Sequence, residues 1–92
     1  MIRSFRDRRT RQFFEGQPVP AFQGIENQAT RRLTVLDNAA SLRDLASLPS
    51  NRLEALSGSR AGQYSIRVNR QWRICFRWED EGPHDVEIVD YH

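Results

Sequence analysis

Three residues at the C-terminus, Asp90, Tyr91 and His92, are of types that do acid–base chemistry. An imidazole titrates near neutral pH, and a phenol can stack on a base or donate a hydrogen bond. Cleavage of RNA needs little beyond such groups and a cation, because the 2′-hydroxyl of the substrate is already the nucleophile. The tripeptide therefore predicts groups suited to RNA chemistry. The alternative is that these residues are only the frayed surface end of a strand.

Arginine is the cation that this sequence offers. All fourteen basic residues are arginines, and five of them fall within residues 60–78, which contain no acid. A guanidinium carries a planar fork of donors that matches a phosphate bidentately, and it also stacks on bases. The block predicts a surface that contacts the RNA backbone. Its arginines are Arg60, Arg67, Arg70, Arg73 and Arg77.

The acids of the C-terminal segment offer a second interpretation of these arginines. Residues 79–92 contain six acids and no arginine, so Arg67, Arg70 and Arg77 could pair with carboxylates across neighbouring strands. Arg73 is predicted to lie on the open face of its strand, where it would contact the scissile phosphate. The alternative for Arg73 is a solvated or salt-bridged strand arginine.

Other kinds of site are absent from the sequence. His84 and His92 are the only histidines, and neither has a partner at metal-ligand spacing. No phosphate-binding glycine loop or serine nucleophile motif occurs, so we expect neither a metal nor another cofactor. The single cysteine, Cys75, fits a small buried hydrophobe better than a catalytic thiol. With no targeting or membrane-spanning segment, the expected location is the cytoplasm.

The length of 92 residues predicts one small domain over residues 1–92. An opening strand is expected at 1–6, then a helix from the capping Asp7 to about Glu15, and a loop after Gly16. Apolar spacing predicts a helix at 25–38, with Ile25, Ala29, Leu33, Leu36 and Ala40 on its buried face, and Ser41 caps a further short turn. Strands are expected at 52–56, 63–69, 71–78 and 85–91, with a turn at 58–62 and a hairpin turn at 79–84.

The order β-α-α-β-β-β-β indicates an α+β fold, in which two N-terminal helices pack on one face of a small, twisted, mainly antiparallel sheet. In the strand 71–78, Trp72, Ile74, Phe76 and Trp78 alternate with Gln71, Arg73, Cys75 and Arg77. The first set would face the helices. The second set would lie on the face that stays open, as antiparallel sheets permit.

The second half of the chain and its first five residues resemble the HigB-type toxins of the RelE superfamily. The resemblance depends on a Leu-x-x-Leu-x-Gly turn, an Arg-x-Gly, a Ser-Ile-x-Val strand, a Gln-Trp-Arg step and a closing Asp-Tyr-His, together with the opening Met-Ile-x-Ser-Phe. The matching residues are Leu53, Leu56, Gly58, Arg60, Gly62, Ser65, Ile66, Val68, Gln71, Trp72, Arg73, Asp90, Tyr91 and His92, with Met1, Ile2, Ser4 and Phe5. No single motif is specific, but the combination is.

This resemblance implies a RelE-like fold and the toxin half of a type II toxin–antitoxin system. The implied activity is metal-independent, ribosome-dependent cleavage of mRNA, which stops translation and growth. The implied partners are the ribosome, the mRNA and a HigA-type helix-turn-helix antitoxin, with operator DNA reached only through that antitoxin. Arg73 would contact the phosphate, Asp90, Tyr91 and His92 would be active-site groups, and Gln71 would lie at the site.

Glu54 departs from the resemblance, because some members have a histidine at that position. A carboxylate there could act as the general base, but it would also repel a phosphate. A second hypothesis is therefore a module that binds RNA or an antitoxin without catalysis. The two hypotheses differ in whether messages are cut.

Overall fold

The computed structural model describes residues 1–90 and shows three helices followed by a four-stranded sheet. The helices are α1 (Arg8–Phe14), α2 (Glu26–Asn38) and α3 (Leu42–Ala46). The strands are β1 (Glu54–Ala55), β2 (Tyr64–Arg67), β3 (Trp72–Glu79) and β4 (Gly82–Asp90). They pair in the order β1-β2-β3-β4, and each pair is antiparallel. The predicted α+β class is confirmed.

The first two predicted helices begin and end close to the expected residues. Asp7 caps α1, since its carboxylate accepts a hydrogen bond from the Thr10 amide at 3.3 Å. The chain leaves α1 at Gly16, whose φ of +92° suits glycine. Ser41 caps α3, which the sequence predicted only as a short turn, by accepting from the Asp44 amide at 3.2 Å.

The core lies between α2 and one face of the sheet. Ala29, Leu33 and Leu36 of α2 are buried against the strands, as the spacing predicted. The inclusion of Ala40 in this set was wrong: Ala40 is exposed and Ala39 is buried, because the helix has ended at Asn38. From the sheet, the core takes Ile66, Ile74, Phe76, Val86 and Ile88.

Aromatic rings fix the start of β3. Trp72 meets Phe22 edge to face, with ring centroids 5.7 Å apart, and Phe13 meets Phe22 at 5.4 Å. Because side chains alternate along a strand, this contact directs the neighbouring Arg73 to the opposite face of the sheet.

The prediction of an opening strand at 1–6 was wrong, although the segment does pair with the sheet. Only Phe5 forms a bridge, parallel to Val86 of β4. Three backbone hydrogen bonds of 2.8–3.0 Å join this segment to the same strand, from Arg3 to Pro83, from Arg6 to Val86 and from Val86 to Ser4. Phe14, expected in the core, is 39% exposed, while Phe13 packs against the core.

The hairpin between β3 and β4 is tighter than the predicted turn at 79–84. Both strands extend to Glu79 and Gly82, and the two residues between them, Asp80 and Glu81, have φ values of 51° and 59°. These left-handed conformations give the turn a twist that matches the strands. Opposite the stretch from Cys75 to Arg77, a bulge in β4 places Asp85 at φ 52°. Within residues 1–90, no helix has the length and apolarity to cross a bilayer.

Candidate active site

The face of the sheet turned away from α2 carries the candidate site. The strand registers pair Glu54 with Ser65, Ser65 with Cys75, and Arg67 with Arg73. Because paired residues in antiparallel strands share a face, these side chains all lie on one surface. β4 adds Glu87 opposite Cys75. The surface is polar, and it carries charges of both signs.

Arg73 is buried rather than open, which corrects the prediction of an exposed strand arginine. Only 8% of the residue is exposed. Its Nε donates to the Ser65 hydroxyl at 2.8 Å, and its Nη2 donates to the Arg52 carbonyl at 2.7 Å. The Glu54 carboxylate also approaches it, with Oε1 3.8 Å from Nη2. The guanidinium is therefore held in one orientation at the floor of the surface.

The Arg52 carbonyl reaches Arg73 because the backbone of Arg52 is left-handed. Its φ and ψ are 46° and 53°, an uncommon conformation for a residue with a side chain. The preceding Asn51 is fully buried, and its amide group donates to the Leu45 carbonyl at 3.0 Å. Strained backbone of this kind clusters at functional sites. Here the left-handed backbone of Arg52 helps to hold the guanidinium of Arg73 in place.

A cleft of about 360 Å³ opens above Arg73. It is lined by Arg52, Glu54, Arg67, Asn69, Arg70 and Arg73. Four of these six residues are cations and one is an anion. Arg67 and Arg70 of the predicted RNA-binding set thus do share a cleft with Arg73 and Glu54, and neither forms a salt bridge within residues 1–90.

The end of the sheet beside this cleft carries two more predicted residues. The side-chain amide of Gln71 donates to the Asp90 carboxylate at 3.0 Å, so the two lie together. Asp90 is the partner of Trp72 in the sheet register, and Val89 is the partner of Arg73. Asp90 is therefore one residue along the neighbouring strand from the level of Arg73. The predictions for Tyr91 and His92 fall outside the described residues.

Arg60 is not among the residues that line the Arg73 cleft. It shares a small neighbouring pocket with Glu54, and it pairs with Glu87, a carboxylate that also contacts Arg6. The Nη1 of Arg60 lies 3.2 Å from the Glu87 carboxylate and 3.0 Å from Oε1 of Gln63. Beneath this pair, Cys75 is fully buried, as the sequence predicted. Burial raises the pKa of the Cys75 thiol above its ordinary value, and the positive charge of Arg60 only partly opposes this.

Arg77 lies at the other end of β3, where it forms ion pairs with Glu79 and, at 3.1 Å, with Asp85. Four residues of strand place it roughly 13 Å from Arg73 along the sheet. The alternative interpretation, that arginines of the block pair with acids, therefore holds for Arg77. It does not line the cleft, so the structure does not bring it to the other candidates.

Two residues of this surface carry no signal in the sequence. Arg52 lines the cleft, and Arg32 of α2 lines an adjoining groove. Both lie outside the arginine block. The packing of α2 beside the turn between β2 and β3 brings Arg32 near it, and the turn that precedes β1 brings Arg52. Asn69 ties these elements together, because its side chain donates to Gln28 of α2 at 3.1 Å and accepts from the Gln71 and Trp72 amides at 2.8 Å each.

Comparison with known proteins decides the family. The family described as "RelE-like toxin of type II toxin-antitoxin system HigB" matches residues 3–92. This chain is a HigB-like toxin. Toxin HigB-1 of Vibrio cholerae serotype O1 is 40% identical to it over 84 residues, which cover 87% of this chain and 86% of that protein. Endoribonuclease HigB of Proteus vulgaris is 32% identical over 95 residues, which cover all of both chains.

The fold of the HigB-like toxin is also found in a solved structure of another protein. A chain of the YoeB-YefM complex from Staphylococcus aureus superimposes with a TM-score of 0.62, covering 100% of this chain and 98% of that one. The two sequences are only 17% identical, so the likeness concerns the fold. It confirms the predicted RelE-like architecture, in which helices cover one face of the sheet and the other face remains available.

Proposed function

We propose that this HigB-like toxin is a ribosome-dependent endoribonuclease that cuts mRNA and thereby stops translation and growth in the cytoplasm. The observation that carries the proposal is Arg73, a guanidinium fixed by Ser65 and Arg52 at the floor of a cleft that also contains Glu54. The name of the Proteus vulgaris relative, an endoribonuclease, points to the same chemistry.

In the proposed reaction, the 2′-hydroxyl of one ribose attacks the adjacent phosphorus. Glu54, 55% exposed at its side chain, takes the proton of that hydroxyl, and Arg73 stabilises the negative charge that grows on the phosphate oxygens. The P–O5′ bond breaks, and the leaving 5′-oxygen takes a proton. The products are a 2′,3′-cyclic phosphate and a 5′-hydroxyl. No metal is needed in this scheme, because the substrate supplies the nucleophile.

The other active-site assignments follow from the resemblance and from the position of β4. We assign His92 or Tyr91 to the protonation of the leaving oxygen, and Asp90 to the positioning of Gln71, with which it is hydrogen bonded. Arg67 and Arg70 would bind the RNA backbone, because they line the same cleft. Arg60 and Arg77 are weaker candidates for RNA contacts, since carboxylates already compensate both of them.

The partners in this proposal are the ribosome with its mRNA and a HigA-type helix-turn-helix antitoxin. Membership of a type II toxin–antitoxin family supports an antitoxin in general, and the structural relative from Staphylococcus aureus is itself a chain of a complex. Operator DNA would be reached only through the antitoxin.

The proposal is tested by inducing the protein in cells and mapping the ends of messages. We expect new ends in a translated reporter message and none in the same message without its start codon. The variant Arg73→Ala should produce no new ends, while the matched variant Arg77→Ala should produce them all. Growth arrest with intact messages would instead favour a module that binds RNA or an antitoxin without catalysis.

A further inference from the structure

A second groove continues from the Arg73 cleft toward α2. It has a volume of about 830 Å³ and shares Arg52, Arg67, Asn69 and Arg70 with the cleft. α2 adds Gln28 and Arg32, and the turn before β1 adds Pro49 and Ser50. The two cavities therefore form one continuous depression that runs off the sheet onto a helix.

The groove concentrates positive charge. Four arginines line it, namely Arg32, Arg52, Arg67 and Arg70, and its lining includes no aspartate or glutamate among residues 1–90. None of the four takes part in a salt bridge within that same part of the chain. Cations that converge on a concave surface raise the local concentration of an anionic ligand far more than scattered surface arginines do.

Arg32 is held in place rather than free in solvent. Its Nη1 donates to the side-chain oxygen of Asn51 at 2.6 Å, and Asn51 is fully buried. One of the five N–H donors is used in this way, and the remaining fork has the shape that binds a phosphate bidentately. Asn51 directly precedes Arg52 in the chain, so the residue that holds Arg32 lies next to a second of the four arginines of the groove.

We propose that this groove is a second RNA subsite, in which Arg32 and Arg52 bind the phosphate that neighbours the cleaved one, while Gln28 contacts a base. The inference rests on the proposed function and extends the substrate path onto α2. Gln28 accepts from Asn69 through its Oε1, and its NH₂ group is not used by any residue of the described chain, so it can donate to a base edge. Single-stranded nucleic acid is bound by this combination of a basic groove and base contacts.

The test uses an RNA strand that cannot be cut. A fluorescent single-stranded oligonucleotide carrying 2′-O-methyl groups lacks the nucleophile, so its binding to the purified toxin reports contacts without chemistry. The variant Arg32→Gln retains a donor for Asn51. The matched control is Arg31→Gln, which removes an exposed arginine one residue earlier on the same helix and outside the groove.

We expect Arg32→Gln to weaken binding about 5- to 10-fold at low salt and to reduce the slope of log K against log salt by about 0.7, the value for one lost phosphate contact on a single strand. Arg31→Gln should leave the slope unchanged. Equal effects of the two variants would show that only net charge matters, and would overturn the subsite. Loss of antitoxin binding with unchanged RNA binding would also overturn it, by showing that the groove holds a protein.

A second variant guards against a folding defect in Arg32→Gln. Ser50 is exposed in the groove, and Ser50→Glu adds a carboxylate there without touching Asn51, so it should weaken RNA binding by at least as much. If both variants fold and bind RNA like the wild type, the inference is wrong even if messages are cut as proposed. If both variants lose RNA binding but the wild-type protein cuts no message in cells, the subsite stands and the proposed cleavage fails.

Discussion

The two ends of β3 each carry an arginine on the same face of the sheet, but the two arginines differ in burial and in partners. Arg73 is buried and donates to two neutral oxygens, those of Ser65 and Arg52, with the half-exposed Glu54 3.8 Å away. Arg77 is about half exposed and pairs with Glu79 and Asp85. The same strand therefore has a buried arginine at one end, held in one orientation mainly by neutral oxygens, and an exposed arginine at the other end, held by two carboxylates.

The bulge and the hairpin explain the difference. The bulge in β4 brings Asp85 to Arg77, and the tight turn keeps Glu79 beside it. At the other end, the turn between β2 and β3 adds Arg70, and the left-handed Arg52 turns its carbonyl to Arg73. Burial and a fixed orientation of the guanidinium, rather than the number of arginines, separate the candidate site from ordinary surface.

The largest expected effect concerns catalysis. We expect Arg73→Ala to lower the rate of message cleavage on isolated ribosomes by about 10²–10³-fold, since that is the usual cost of removing one preorganised group that stabilises transition-state charge. Arg77→Ala should stay within a few-fold of the wild type. Single-turnover rates at saturating toxin measure both. Comparable losses in the two variants would mean that both ends of β3 contact the substrate and that the comparison is false.

Glu54 gives a second test of the Arg73 end of the strand, because it is the one carboxylate among residues 1–90 that lines the Arg73 cleft. If it takes the 2′-hydroxyl proton, Glu54→Gln should reduce the cleavage rate about 10²-fold, at the low end of the range for general-base catalysis. RNA binding should not weaken, because a negative charge has been removed. A faster variant would show instead that Glu54 only repels the phosphate. Glu79→Gln, at the other end of the strand, serves as the control and should leave the rate unchanged.

Arg73→Ala should also lower the free energy of unfolding more than Arg77→Ala does, although this difference is smaller than the difference in cleavage rate. Arg73→Ala removes a buried side chain and leaves the buried Ser65 hydroxyl without its donor, which costs about 1–3 kcal/mol. Arg77→Ala removes exposed ion pairs, which contribute about 0–1 kcal/mol. Urea unfolding of both variants measures the difference. If Arg77→Ala proved the more destabilising change, the hairpin pairs would be a structural element rather than simple charge compensation.

Much of the fold could be predicted from the sequence, because the signals are local. Asp7 and Ser41 are capping residues, the apolar spacing of α2 has the period of a helix, and the alternation in β3 separates Ile74 from Arg73. The opening segment was predicted as a strand because its residue types suit one. In the structure this segment forms only one bridge, because its backbone hydrogen bonds reach just two residues of β4, Pro83 and Val86.

The site could be predicted only in part, because alternation gives the side of a sheet but not the depth at which a side chain lies. Arg73 was placed on the correct face, yet its burial depends on Ser65 and on the backbone of Arg52, which a strand pattern does not contain. Arg32 could not be found from the sequence, since its proximity to the cleft arises from the packing of α2. The sequence offered pairing with C-terminal acids for Arg67, Arg70 and Arg77 alike, and only the structure shows that Arg77 is paired while the other two form no salt bridge among residues 1–90.

The smallest effect is expected at Cys75, which lies between Arg73 and Arg77 on the same face and belongs to neither end. Burial raises its pKa above the ordinary value of 9.0, so the folded protein disfavours the thiolate. Below the pKa of the unfolded chain both states hold the proton, and the stabilising contribution is complete. Above it only the unfolded chain loses the proton, so the free energy of unfolding falls as the pH rises toward the folded pKa. Unfolding measured at pH 7 and pH 10 should show a steeper fall for the wild type than for Cys75→Ala. Equal slopes, or rapid labelling of the native thiol at neutral pH, would show that Arg60 and Glu87 leave this middle part of the face open to solvent.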